Sequence, residues 1–126
     1  MTQENKDLLL KDLSARLPYG VKCYDEAQRE VGVFKHFEYD GFGRIHNGRG
    51  VRFIENIKPY LFPMSSMTEE QCDELYAISE LQLAFAPDMR IKVYKNTIEW
   101  FLKNHIDYSG LIEKGLAIDA TGLNIY

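Results

Sequence analysis

The chain has 126 residues, 45% of them hydrophobic and 27% charged, which is enough for one packed domain and too little for two. Eight Tyr, seven Phe and one Trp against nine Gly and four Pro exclude a disordered or low-complexity chain. The net charge of −4 makes the whole protein a poor polyanion binder, although residues 64–84 alone carry five acidic and no basic side chains and residues 19–63 carry seven basic and six acidic ones.

A helix is expected over Asn5–Leu17, where Leu9, Leu13 and Leu17 recur every four residues and Leu10 joins their stripe. Pro18 ends it, because a residue before proline is driven out of helical geometry. From Tyr19 to Pro63 the pattern changes to short β-rich runs at Tyr19–Tyr24, Val31–Tyr39, Phe42–His46 and Val51–Ile54. Asp25-Glu-Ala-Gln, Asp40-Gly41 and Asn47-Gly48 separate them, and Glu55–Lys58 follows as a helical turn. This layout is similar to an SH3-like antiparallel barrel, with a core expected from Val31, Val33, Phe37, Ile45, Phe53 and Ile54. The hairpin register at Asp40-Gly41 stays open. A two-residue loop sets Tyr39 opposite Phe42 and His36 opposite Ile45, whereas a three-residue loop sets His36 opposite His46.

Thr68 and Gln71 are spaced as a capping box and open an acidic helix whose apolar stripe is Cys72, Leu75, Tyr76 and Leu83. Beyond Pro87, the alternation of Ile91 and Val93 with Lys92 and Tyr94 suggests a short strand or an extended connection. Asn96 then caps a helix that buries Ile98, Phe101, Leu102 and His105, and Asp107 caps a last helical segment closed by Gly115. No period organises Leu116–Tyr126. The expected fold is thus one α+β domain, 1–126: an N-terminal helix (1–18), an SH3-like barrel (19–63) and a mainly helical region packed on it (64–126).

Leu17-Pro-Tyr-Gly-Val21, Lys58-Pro-Tyr-Leu-Phe-Pro-Met-Ser-Ser-Met-Thr-Glu-Glu-Gln71 and Asp107-Tyr-Ser-Gly-Leu-Ile-Glu-Lys-Gly-Leu-Ala117 resemble an uncharacterised family of small proteins from gut bacteria and their phages or prophages. The resemblance implies a phage or mobile-element setting and brings no activity, ligand or functional residue with it.

No apolar run reaches the ~20 residues of a membrane span, and the opening residues lack the order of a secretory signal, so a cytoplasmic protein is expected. Cys23 and Cys72 have neither CxxC spacing nor a nearby histidine and read as small core residues, not as a disulfide or zinc site. Neither GxSxG nor GxxxxGK[ST] occurs. No catalytic residue, metal ligand or cofactor is assigned. A non-catalytic interaction or structural module, with a protein partner or a second copy, is the reading these features favour. Its first rival is nucleic-acid binding by Lys35, Arg44, His46, Arg49 and Arg52, whose cations are interleaved with barrel aromatics. A small enzyme stays open as a third reading, because paired carboxylates have no fixed sequence spacing. Trp100 falls about 200° around the helix from Ile98, off the buried stripe, which makes it a candidate partner anchor.

Overall fold

A computed structural model describes residues 1–39, 42–45, 52–79 and 87–126. Helix α1 spans Gln3–Arg16, and its first free backbone donors are met by Thr2, whose Oγ1 accepts from the Asn5 N–H at 3.1 Å. Its leucine stripe behaves as expected: Leu9 and Leu13 are wholly buried, and Leu10 and Leu17 pack beside them. Leu17–Tyr19 forms a single 3-10 turn, which Gly20 closes at φ 67°, a left-handed conformation that costs glycine little.

The strands are β1 (Lys22–Asp25), β2 (Glu30–Tyr39), β3 (Phe42–Ile45), β4 (Arg52–Phe53), β5 (Ile57–Pro63), β6 (Ile106–Asp107) and β7 (Ile118–Asp119). Their order is β4-β3-β2-β1-β5-β6, with β7 also pairing with β5. The first four run as an antiparallel meander, whereas β6 and β7 join β5 in parallel. The expected barrel is therefore replaced by an open mixed sheet among the described residues. Its physical reason lies in β5: the edge that closure against β4 would require is taken by β6 at Phe62–Pro63 and by β7 at Tyr60–Leu61.

Asp40 and Gly41 lie outside the described residues, and the strands on either side follow neither expected register throughout: Tyr39 stands opposite Phe42, as a two-residue loop requires, but shifts along the pair bring His36 opposite Arg44 and Phe34 opposite Ile45. Of the residues expected in the core, Ile54 is wholly buried and Val33 half-buried, but Val31 and Phe53 are exposed, and Cys23, Phe34, Ile57 and Leu61 complete the sheet's interior.

Helix α2 (Glu69–Ser79) opens on the expected capping box: the Gln71 N–H donates to Thr68 Oγ1 at 3.1 Å and the Thr68 N–H donates to Gln71 Oε1 at 3.0 Å. Of its expected apolar stripe only Leu75 is turned inward, and Leu83 lies outside the described residues. Cys72 and Tyr76 are exposed, while Leu75 and Ile78 pack against Trp100, Phe101 and Ile106. Helix α3 runs unbroken over Pro87–Lys103, so the strand expected at Ile91–Tyr94 is helical and Asn96 lies inside the helix, not at its cap. Pro87 opens the helix, at a position where its missing N–H would have had no partner.

Past α3 the chain is not helical. Asp107 does gather the next turn, accepting from the N–H groups of Leu111 (3.0 Å) and Ile112 (2.9 Å). The Leu116 N–H then reaches the Leu111 carbonyl and the Gly115 N–H reaches that of Ile112, with Gly115 at φ 74°. This is a Schellman closure around the glycine expected there, on a turn too short to be an α-helix.

Candidate functional site

The polar centre of the molecule lies under α1. Arg16 and Asp12, one helical turn apart, are both buried, and Arg16 Nε donates to Asp12 Oδ2 at 2.6 Å. Arg16 Nη2 donates to the Ile106 carbonyl at 2.7 Å, which ties α1 to β6 across 90 residues of sequence. The guanidinium also stands 5.4 Å from the centre of the Tyr108 ring. Arg16 Nη1 and Asp12 Oδ1 have no hydrogen-bond partner among the described residues. Burial pushes the Asp12 carboxyl up from its ordinary range, against the opposing pull of Arg16.

Beside this pair lies His105, held at φ 57° just past α3, with its Nδ1 buried and without a partner among the described residues. Desolvation lowers its pKa to about 4, and the nearby Arg16 and Lys22 cations act in the same direction, so the imidazole is neutral at pH 7. Its ring stacks on Tyr126, with centroids 3.7 Å apart and planes 10° apart. The Tyr126 hydroxyl donates to the Tyr60 carbonyl at 2.8 Å and accepts from the Lys22 N–H at 2.9 Å. Lys22 Nζ lies 5.7 Å from the ring centre and donates to the Ile125 carbonyl at 2.6 Å. Burial pushes the Tyr126 phenol and the Cys23 thiol upward, so neither supplies an anion for nucleophilic chemistry near neutrality.

The sequence reasoning missed this cluster. Arg16 reads as an ordinary cation in the last turn of a helix, and nothing in residues 116–126 marks Tyr126 as an anchored side chain. The one available hint was that an aromatic so far from any periodic run needs a surface of its own.

The candidates named from the sequence are dispersed. Lys35 is exposed on β2; Arg44 lies in β3 opposite His36, and Arg52 lies in β4 opposite Gly43. His46 and Arg49 fall outside the described residues. Trp100 is 8% exposed, and its indole N–H donates to Glu74 on α2 at 3.1 Å. The second surface it needed is thus the acidic helix. With Tyr19, Ile78, Asn96, Glu99 and Lys103, it lines an open groove of about 370 Å³ between the 3-10 turn after α1 and the α2–α3 pair.

Among the described residues no group of three His, Cys, Asp or Glu side chains could hold a metal ion, and no helix is long and apolar enough to cross a membrane. No protein-family model, curated protein or solved structure matches the chain, and the reading of its sites rests on their geometry.

Proposed function

We propose that the protein is a non-catalytic interaction module that works through its α2–α3 side, and that its partner there is a second copy of the chain. The observation that supports this reading is a change of environment along one helical stripe. Ile91, Tyr94, Ile98, Phe101 and Leu102 recur at helical spacing on α3. Phe101 and Leu102 are 8% and 5% exposed, but Ile91 and Tyr94 are 70% and 71% exposed. The stripe runs past the body that covers it, and large apolar side chains grouped at a surface mark interaction sites.

Charge favours a second copy as the cover. Helix α2 carries Glu69, Glu70, Asp73 and Glu74 and no basic residue, whereas Arg90, Lys92 and Lys95 flank the exposed pair on α3. A two-fold arrangement sets the acidic helix of each copy against the basic helix of the other, which gives both registration and steering. The setting in a phage or mobile element is what the resemblance of residues 58–71 implies.

Light scattering on a concentration series tests the reading. Dimers are expected to appear as concentration rises through the micromolar range, to weaken with salt, and to be lost in Ile91→Lys and Tyr94→Lys. Those exposed substitutions should leave the monomer's stability within about 0.5 kcal/mol. A wild-type chain that stays monomeric throughout, or a dimer indifferent to both substitutions, overturns it. Salt-sensitive binding of labelled oligonucleotides by the monomer would put the Lys35, Arg44 and Arg52 surface in its place.

A further inference from the structure

Tyr126 is 41% exposed, yet its contacts are more complete than a surface side chain needs. In the β1–β5 pairing, Cys23 stands opposite Pro59, Tyr24 opposite Lys58 and Asp25 opposite Ile57, so the next rung would join Lys22 to Tyr60. The Tyr126 hydroxyl occupies that rung, accepting a hydrogen bond from the Lys22 N–H and donating one to the Tyr60 carbonyl. The strands thus present a donor and an acceptor spaced for one phenol. His105 stacks on the ring, Phe62 lies 5.9 Å away at a 50° tilt, and Lys22 supplies a cation nearby. Lys22 Nζ also takes the Ile125 carbonyl, so the site reads the peptide unit before the tyrosine as well as the ring. That last contact favours a peptide over a free phenol.

The occupant is attached lightly except at its tip. Thr121, Gly122, Leu123 and Asn124 are exposed, and Gly122 and Asn124 both take positive φ, at 76° and 53°. Little apolar area has to be given up for this segment to leave. The Lys22 N–H and the Tyr60 carbonyl would then stand side by side, open to water or to another hydroxyl of the same geometry. His105 Nδ1 gains nothing from the present occupant, so a ligand that reaches it would make one bond more.

We propose that the slot between β1, β5 and His105 is a recognition site for a tyrosine-bearing peptide, filled in the free protein by the chain's own Tyr126 and vacated when residues 121–126 swing out about Gly122 and Asn124. This inference is independent of self-association through α3. The test uses Tyr126→Ala in the full chain, with N-acetyl-Ile-Tyr-amide and p-cresol as probes in calorimetry and thermal melts. Both probes are expected to bind and to raise the melting temperature. The peptide should bind roughly tenfold tighter than p-cresol, as befits one added charge-assisted hydrogen bond. Adding Lys22→Met should erase that difference while p-cresol binding persists, since the backbone N–H of residue 22 remains. Wild type should bind both probes more weakly than the variant, because Tyr126 competes. A folded Tyr126→Ala protein that binds neither probe, or equal binding by variant and wild type, overturns the proposal. If the variant does not fold, the wild-type chain decides. Saturable loss of the His105 ring-current shift on the Tyr126 ring protons as the peptide is added supports the site, and Tyr126 resonances that stay unchanged at saturating peptide overturn it.

Discussion

Replacing Arg16 by Met keeps most of the side-chain volume and removes its charge, which isolates the consequence of breaking the buried pair. Asp12 would lose its 2.6 Å partner inside the fold, and the Ile106 carbonyl would lose a 2.7 Å donor. Leaving one member of a buried ion pair uncompensated typically costs about 3 to 5 kcal/mol, a large share of the roughly 5 to 15 kcal/mol that holds a domain together. Proton uptake by Asp12 limits the penalty, so the variant should regain stability as pH falls through the raised titration of that carboxyl. Removing both charges in Asp12→Leu with Arg16→Met should recover much of the loss but not all of it, because the Ile106 carbonyl remains without its donor, at a cost of about 1 to 3 kcal/mol. Urea unfolding of wild type, both single variants and the double variant, compared at constant denaturant slope, measures the coupling directly. A loss below about 1 kcal/mol for Arg16→Met, or additivity of the two single changes, would refute the view that this pair is a mutually dependent unit.

Leu13→Ala, at a fully buried position on the face of α1, should lower stability by about 2 to 5 kcal/mol, and a melt unchanged by it would remove α1 from the core. His105 makes stability depend on pH in a definite direction. Its pKa is about 4 in the fold against 6.5 ordinarily, so between those values the unfolded chain binds a proton that the folded one does not, and stability falls as pH drops through that window. His105→Asn, which tolerates the left-handed backbone, should flatten the decline in melting temperature between about pH 7 and pH 5; an unchanged slope would show that His105 does not titrate this way.

What was legible in the sequence is what local chemistry determines. The α1 stripe, the Thr68–Gln71 box and the glycine at 115 each follow from a spacing or a backbone preference that acts within a few residues. The errors came where two local rules compete. Four alternating residues at Ile91–Tyr94 fit a strand, but the same residues continue the helical stripe to Ile98 and Leu102, in a helix whose Trp100 and Phe101 pack against Leu75 and Ile78 of α2. Cys72 and Tyr76 fit an apolar face with Leu75 by spacing, yet only Leu75 is turned inward, where it and Ile78 meet Trp100 and Phe101. Trp100 illustrates the intermediate case. Helical angles placed it away from Ile98 and called for a second surface, while the identity of that surface as α2 required tertiary structure.

The candidate site was not legible because its parts are brought together by contacts far apart in sequence. Arg16 belongs to α1, yet it is placed by the carbonyl of Ile106, and that carbonyl is next in sequence to His105, the stacking wall of the Tyr126 slot. The Phe62 N–H donates to the His105 carbonyl at 2.8 Å, which fixes the same residue from the sheet side. His105 is therefore held by β5 on one side and, through Ile106, by the buried guanidinium on the other. The consequence is directional: loss of Arg16 should loosen the slot as well as the core, whereas loss of Tyr126 should empty the slot and leave the Asp12–Arg16 pair intact. The buried pair is better understood as the support that orients the slot, since Arg16 joins Asp12 of α1 through Nε and the Ile106 carbonyl of β6 through Nη2.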